Sequence, residues 1–277
     1  MRAKDILFII DLAEKPGPSE SAAIDLAASS RAHLTGVALS VSPVVTGFVV
    51  APVPVDLIES ARAESTKLAE TAMQRFADNA KRAGVEVETR VHEVLMGGIP
   101  QSFIASARLA DLLIIGQENP DAPEPLRDLL IETALFEGNA PVLVVPYIPR
   151  TEIKFGKVLI AWDGSRPAAR AVRNALLFLD PGTSVTILMI GDAAKQPGQP
   201  GADLATWLAR HHLNVDIATM PNVDIPIAAS ILNYATDNGF DLLVMGAYGH
   251  SWVREALIGG ATRDILKTMT VPVLMAH

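Results

Sequence analysis

The chain has 277 residues, no cysteine, a formal net charge of −8 and 49% hydrophobic residues. The lack of cysteine excludes disulfides, thiolate chemistry and cysteine-ligated metal, and the acidic balance argues against an extended nucleic-acid surface, whose affinity comes from Lys and Arg against phosphate. The length lies between one and two domains, and the apolar content assures a sizeable core.

The first element in chain order is the apolar run ILFIID, closing on Asp11. At six residues, with a charge at its end, it reads as a buried strand and not as a signal sequence. Residues 34–55 contain no charged residue, but Gly36, Pro43, Gly47, Pro52 and Pro54 would break a membrane-spanning helix repeatedly, so no membrane segment is expected. Such an apolar stretch calls for cover by the other half of the chain or by a second copy of it, which makes a homodimer an option. Residues 56–82 read as one long amphipathic helix and 100–109 as another, followed by the strand ADLLIIG at 110–116 and the strand PVLVVP at 141–146. A link bearing proline and glycine spans 147–156.

Beyond it, KVLIAWD closes on Asp163, helices are expected over 167–179, 203–212 and 225–238, and FDLLVMG at 240–246 repeats the earlier ADLLIIG. A helix is predicted from Gly259-Gly260 to about Met269, with Thr262 or Gly260 as its cap, Asp264 in its first turn and Lys267 near its end, an order that complements the helix dipole. PVLMAH at 272–277 repeats PVLVVP. The chain is thus written twice, and strands without period-two alternation between helices imply parallel βαβ units. The expectation is an α/β protein of two tandem doubly wound domains, residues 1–148 and 149–277. From Asp11 to Asp111 is 100 residues against 78 from Asp163 to Asp241, so the first half carries a surplus in its middle.

The stretch GAYGHSWVREALIGG at 246–260 holds four glycines at its ends. Ligands of open α/β sheets bind beyond the carboxyl ends of strands, where strand order reverses. Asp163 and Gly246 would share one such crevice, and a helix starting near Gly260 would offer free amides and its positive dipole end to an anion. Ordinary turns explain such glycines equally well.

The spacing Gly246-x2-Gly249-x9-Gly259 between DLLVMG and VPVLM resembles the nucleotide signature of the universal stress protein family, WDGS at 162–165 resembles its first-strand ending, and the duplication resembles its tandem members. The resemblance implies a five-stranded parallel sheet of order 3-2-1-4-5 in each half, with ATP or a related adenine nucleotide, with or without Mg, at the crossover of strands 1 and 4. On that pattern Ala161 and Asp163 lie beside the adenine and Ile190 covers it. Gly246, Gly249, His250, Gly259, Gly260, Ala261 and Thr262 then surround ribose and phosphates. The family has Ser or Thr where this chain has Gly260, so one hydroxyl contact is missing, and Thr262 is a partial substitute. The last strands of the halves are implied to pair, giving an intrachain pseudo-dimer.

The first half reads GQENPDAPEPLRDLL at the matching place, with Asn119 for the second glycine and Asp128 or Leu129 for the third. Glu118, Asp121 and Glu124 would repel polyphosphate, and Pro120, Pro123 and Pro125 remove amide donors. No nucleotide is expected there, and the loop reads as solvated surface. His33 and His92 fall in expected strands, and His211 and His212 sit side by side on a helix, unable to chelate one ion together. His277 is incidental. No metal ligand set, nucleophile elbow or Walker loop is present, so no enzymatic activity is assigned, and any ATP hydrolysis is expected to be slow. The expected function is a cytoplasmic stress-response regulator that binds adenine nucleotide in its second half and acts on an unidentified protein partner. The alternative is a nucleotide-independent interaction scaffold.

Overall fold

Uninterrupted apolar runs become central strands because both of their faces are covered. The computed structural model describes residues 3–41, 55–94, 98–124, 126–149, 155–191, 201–221, 224–248 and 260–277. It divides into one unit of Lys4–Ala140 and another of Pro141–His277 with Met1–Ala3.

The N-terminal unit runs β1 (Asp5–Ile9), α1 (Pro18–Ser30), β2 (His33–Val41), α2 (Val55–Arg82), β3 (Val87–Val94), α3 (Gln101–Leu109), β4 (Leu112–Gly116) and α4 (Arg127–Glu137). Its strands lie in the order β3-β2-β1-β4, all parallel. The 28-residue α2 matches the long helix expected from its amphipathic pattern. It buries Phe76 against the sheet, with the Phe8 ring centroid 5.3 Å away. That approach requires Gly36 on β2, where a β-carbon would stand 2.4 Å from the Phe76 ring. Helices α1 and α4 have no counterpart in the sequence-based expectations. Of the uncharged stretch, residues 42–54 lie outside the described residues.

The C-terminal unit runs β5 (Val142–Val145), β6 (Lys157–Ala161), α5 (Arg166–Ala175), β7 (Ser184–Ile190), α6 (Ala202–Ala209), β8 (Asn214–Met220), α7 (Ile227–Asp237), β9 (Leu242–Gly246), α8 (Ala261–Thr268) and β10 (Val273–Ala276). Strands β8-β7-β6-β9-β10 are parallel and give the order 3-2-1-4-5. Strand β5, the last strand of the first repeat, adds antiparallel to β10, pairing Val144 with Val273 and Val142 with Met275. The two strands whose pairing the resemblance implies are therefore hydrogen-bonded neighbours.

The aspartate shared by the repeated ADLL and FDLL segments has a structural role. Asp111 Oδ2 accepts from the Lys4 and Asp5 amides at 2.7 and 3.2 Å, and Asp241 Oδ2 accepts from the Lys157 amide at 2.9 Å. In each repeat a carboxylate before the fourth strand buckles the start of the first. No helix among the described residues is long and apolar enough to cross a membrane.

Candidate functional site

Strand order in the C-terminal unit reverses between β6 and β9, which lie side by side with Ala161 opposite Met245. Beyond β6 the Trp162 amide donates to the Leu188 carbonyl at 2.9 Å, after which the chain turns away from the sheet. Asp163 Oδ1 accepts from the Ser165 amide at 2.9 Å, Gly164 takes φ 78°, and Ser165 Oγ accepts from the Ala168 amide at 3.3 Å as the cap of α5. The segment is a turn and helix start, as expected from Asp-Gly-Ser before Pro167. Asp163 is left exposed at the mouth.

Gly246 ends β9 under the first turn of α5, where a β-carbon would meet Ala168 N at 2.4 Å and Pro167 Cβ at 2.9 Å. Helix packing alone therefore demands this glycine. The Ala247 amide donates to the Ala276 carbonyl at 2.9 Å, extending the β9–β10 ladder. Tyr248 takes φ 53°, and its amide donates to Thr262 Oγ1 at 3.3 Å. Thr262 is 2% exposed, and its hydroxyl oxygen accepts from the chain leaving β9. Gly260 is the cap of α8, with Asp264 in the first turn and Lys267 in the last, as expected. The first intrahelical bond is Asp264 N to Gly260 O, so the amides of Ala261 and Thr262 precede the helical ladder. Ile190 closes β7, the neighbour of β6 on the side away from β9. Ala161, Asp163, Ile190, Gly246, Gly260, Ala261 and Thr262 thus gather around the carboxyl ends of three adjacent strands. Gly249, His250 and Gly259 lie outside the described residues.

The matching place of the N-terminal unit is built differently, and the expectation of a solvated acidic loop is corrected there. From Gly116 to the α4 cap at Leu126 is ten residues, against fourteen from Gly246 to Gly260. Asp121 stays exposed, but Glu118 and Glu124 turn inward around Arg127, which is 4% exposed. Arg127 Nη2 lies 2.7 Å from Asp11 Oδ1 and 2.5 Å from Glu124 Oε2, and Arg127 Nε lies 3.9 Å from Glu118 Oε2. Glu124 Oε1 accepts from the Leu12 amide at 2.7 Å, and Ser19 Oγ donates to Asp11 Oδ2 at 2.6 Å.

Burial holds the Glu118 and Glu124 carboxyls above the usual range, against the opposing pull of Arg127. Burial also acts to lower the Arg127 pKa, but the facing Asp11 and Glu124 carboxylates keep it above its ordinary value. Sequence reasoning missed Arg127. The signal that could have found it is a single arginine directly after a loop that holds Glu118, Asp121 and Glu124.

The histidines are dispersed. His33 meets Glu88 at 3.4 Å on the surface, and His92 Nδ1 lies 2.8 Å from Ser102 Oγ, its pKa depressed by burial and by Arg90. His211 and His212 fall beyond the end of α6 and not on a helix, with His212 at φ 62°. His277 Nδ1 stands 3.0 Å from the Ala247 carbonyl. Among the described residues no group of three His, Cys, Asp or Glu side chains is arranged to hold a metal.

Residues 154–277 match the model of the Universal stress protein family. A universal stress protein of Synechocystis sp. is 31% identical over 172 residues, and the match spans 59% of this chain and 57% of that relative. The crystal structure of a universal stress protein from Archaeoglobus fulgidus DSM 4304 superposes with a TM-score of 0.71 at 16% identity, covering 98% of this chain and 96% of that one. Residues 154–277 are thus similar to the universal stress protein family. A functionally unknown protein from Pseudomonas aeruginosa PAO1 has the same fold, with a TM-score of 0.59 at 17% identity over 98% of this chain and 92% of that one. The family's sequence pattern covers the second repeat, and at such low identity the structural likeness across both repeats speaks for fold alone.

Proposed function

We propose that the protein is a stress-response regulator whose C-terminal repeat binds an adenine nucleotide, ATP or a related one, with or without Mg. The supporting observation is that Asp163 follows β6 and the chain leading to α8 follows β9, the two neighbouring strands between which strand order reverses. Such an arrangement would set a carboxylate suited to a hydroxyl or base N–H beside helical amides suited to phosphate. Ala161, Asp163 and Ile190 would border the base. Gly249, His250, Gly259, Gly260 and Ala261 would border ribose and phosphates, while Gly246 and Thr262 set the spacing of the walls. The domains are assigned to residues 1–148 and 149–277, with only the second holding ligand, and the protein acts in the cytoplasm on a protein partner.

A second reading, a scaffold independent of nucleotide, draws support from the Ala247 and Tyr248 amides. Both donate within the protein and are withdrawn from any phosphate cradle. Equilibrium binding of ATP, ADP and AMP to the purified protein and to Gly249→Val and Gly259→Val separates the two. Binding by wild type that both valines abolish supports the first; equally poor binding by all three supports the scaffold.

A further inference from the structure

Arg127 sits where its surroundings should not favour it. It opens α4, at the positive end of the helix dipole, where a cation is disfavoured. Its guanidinium is withdrawn from water, which is costly for any charge. The residue before it, Leu126, is held at φ 73° and ψ 4°, a left-handed conformation that strains a leucine backbone. Two of these unfavourable features fall on Arg127 and the third on its neighbour Leu126, so the contacts made there must offset all three.

The contacts come from the segments that follow β1 and β4. Asp11 follows β1, Glu118 and Glu124 belong to the loop after β4, and Ser19 of α1 holds the second oxygen of Asp11. Glu118 Oε1 also accepts from the Glu124 amide at 2.9 Å, so the loop is folded onto its own carboxylates. Behind them Arg75 of α2 donates to the Asp11 carbonyl at 2.9 Å and pairs with Glu20 at 3.0 Å, while Asp128 adds a further negative charge near Glu118. Three carboxylates face one guanidinium. In the second repeat the corresponding helix opens with Ala261, which carries no charge.

We propose that the N-terminal crevice is closed from within, with Arg127 as a built-in cationic occupant, and that its pocket of carboxylates selects a guanidinium-type cation where the second repeat offers amides to an anion. The first repeat then keeps one conformation whatever occupies the second. This inference stands apart from nucleotide binding and is tested without nucleotide.

The test is hydrogen exchange of peptides covering residues 112–137 in the full chain, comparing wild type with Arg127→Ala, each in methylguanidinium chloride or in sodium chloride of equal ionic strength. Exchange in the variant should rise by about tenfold or more. Methylguanidinium, but not sodium, should bring it back toward wild type, which itself should not respond. Unchanged exchange in the variant, or an equal effect of methylguanidinium on both proteins, would overturn the proposal. Should Arg127→Ala fail to fold, Arg127→Lys decides. Lysine keeps the charge but not the planar fork, so faster exchange than wild type supports a guanidinium-shaped pocket and identical exchange overturns it.

Discussion

A β-carbon added to Gly246 would stand 2.4 Å from the amide nitrogen of Ala168. The obstacle is backbone in the first turn of α5, so no rotamer change relieves it. Gly246→Ala is expected to lower the stability of the C-terminal unit by about 1–3 kcal/mol. All three tryptophans, Trp162, Trp207 and Trp252, belong to this unit, so tryptophan emission during urea unfolding reports the loss. An unchanged midpoint would mean that α5 does not pack on this strand end.

Thr262 answers the amide of Tyr248 in a buried position. Thr262→Val keeps the shape and removes the acceptor, leaving an amide without its partner at a cost of about 1–3 kcal/mol. Thr262→Ser should recover most of that stability, because the hydroxyl returns and only a methyl group is lost. The same tryptophan-monitored unfolding measures both variants, and equal losses from valine and serine would assign the effect to packing.

Gly36 and Phe76 form a coupled pair in the N-terminal unit, where a new β-carbon would collide with the ring at 2.4 Å. Phe76→Ala should cost about 3–5 kcal/mol and Gly36→Ala about 1–3 kcal/mol. The double variant should be more stable than the sum of the two losses predicts, since the added methyl enters space the ring vacates. This unit contains neither tryptophan nor tyrosine, so the cycle is read by circular dichroism or hydrogen exchange. Strict additivity would show that the two positions do not touch.

The carboxyls of Glu118 and Glu124 carry a pKa raised by burial. An acid with a raised folded pKa binds its proton more tightly in the native than in the unfolded state. Its contribution to stability is therefore fully present below the ordinary carboxylate value and is lost as pH rises through the elevated one. Glu118 makes the longest contact to Arg127, so Glu118→Gln should match or exceed wild-type stability at about pH 7, with the difference shrinking toward about pH 4.5. Hydrogen exchange of the loop across that range is the measurement, and a variant weaker than wild type at neutral pH would contradict the sign.

Asp163 tests the ligand reading directly. If its carboxylate holds a nucleotide hydroxyl or base N–H, Asp163→Ala should weaken binding by about 10- to 100-fold, the worth of one hydrogen bond to a charged group. Because the residue is exposed, its tryptophan-monitored unfolding midpoint should move little. Loss of nucleotide affinity without loss of stability separates a ligand contact from a turn-forming role, whereas equal affinity removes Asp163 from the site.

Much of the architecture was readable in the residues. Runs such as LLIIG and LLVMG leave no polar face, so they can only be strands covered on both sides, and their repetition announces two similar halves. Helix α2 was legible because its apolar positions recur at helical spacing over 28 residues. Helices α1 and α4 were not: PSESAAIDLAASS is rich in alanine and serine, and the α4 sequence follows three prolines in an acidic loop, so neither displays an apolar stripe set against a polar one.

By itself the sequence determined the α/β class, the duplication and the two strand-end aspartates, because these depend on local periodicity and on which residues can be buried. Only the tertiary structure decided what the acidic loop and the glycines do. Glu118 and Glu124 turn inward because Arg127 gives their charge a partner out of water, and Gly246 is required because the backbone of α5 passes over it. A side chain's direction and a backbone's clearance are set by neighbours distant in the chain, and no local pattern encodes them.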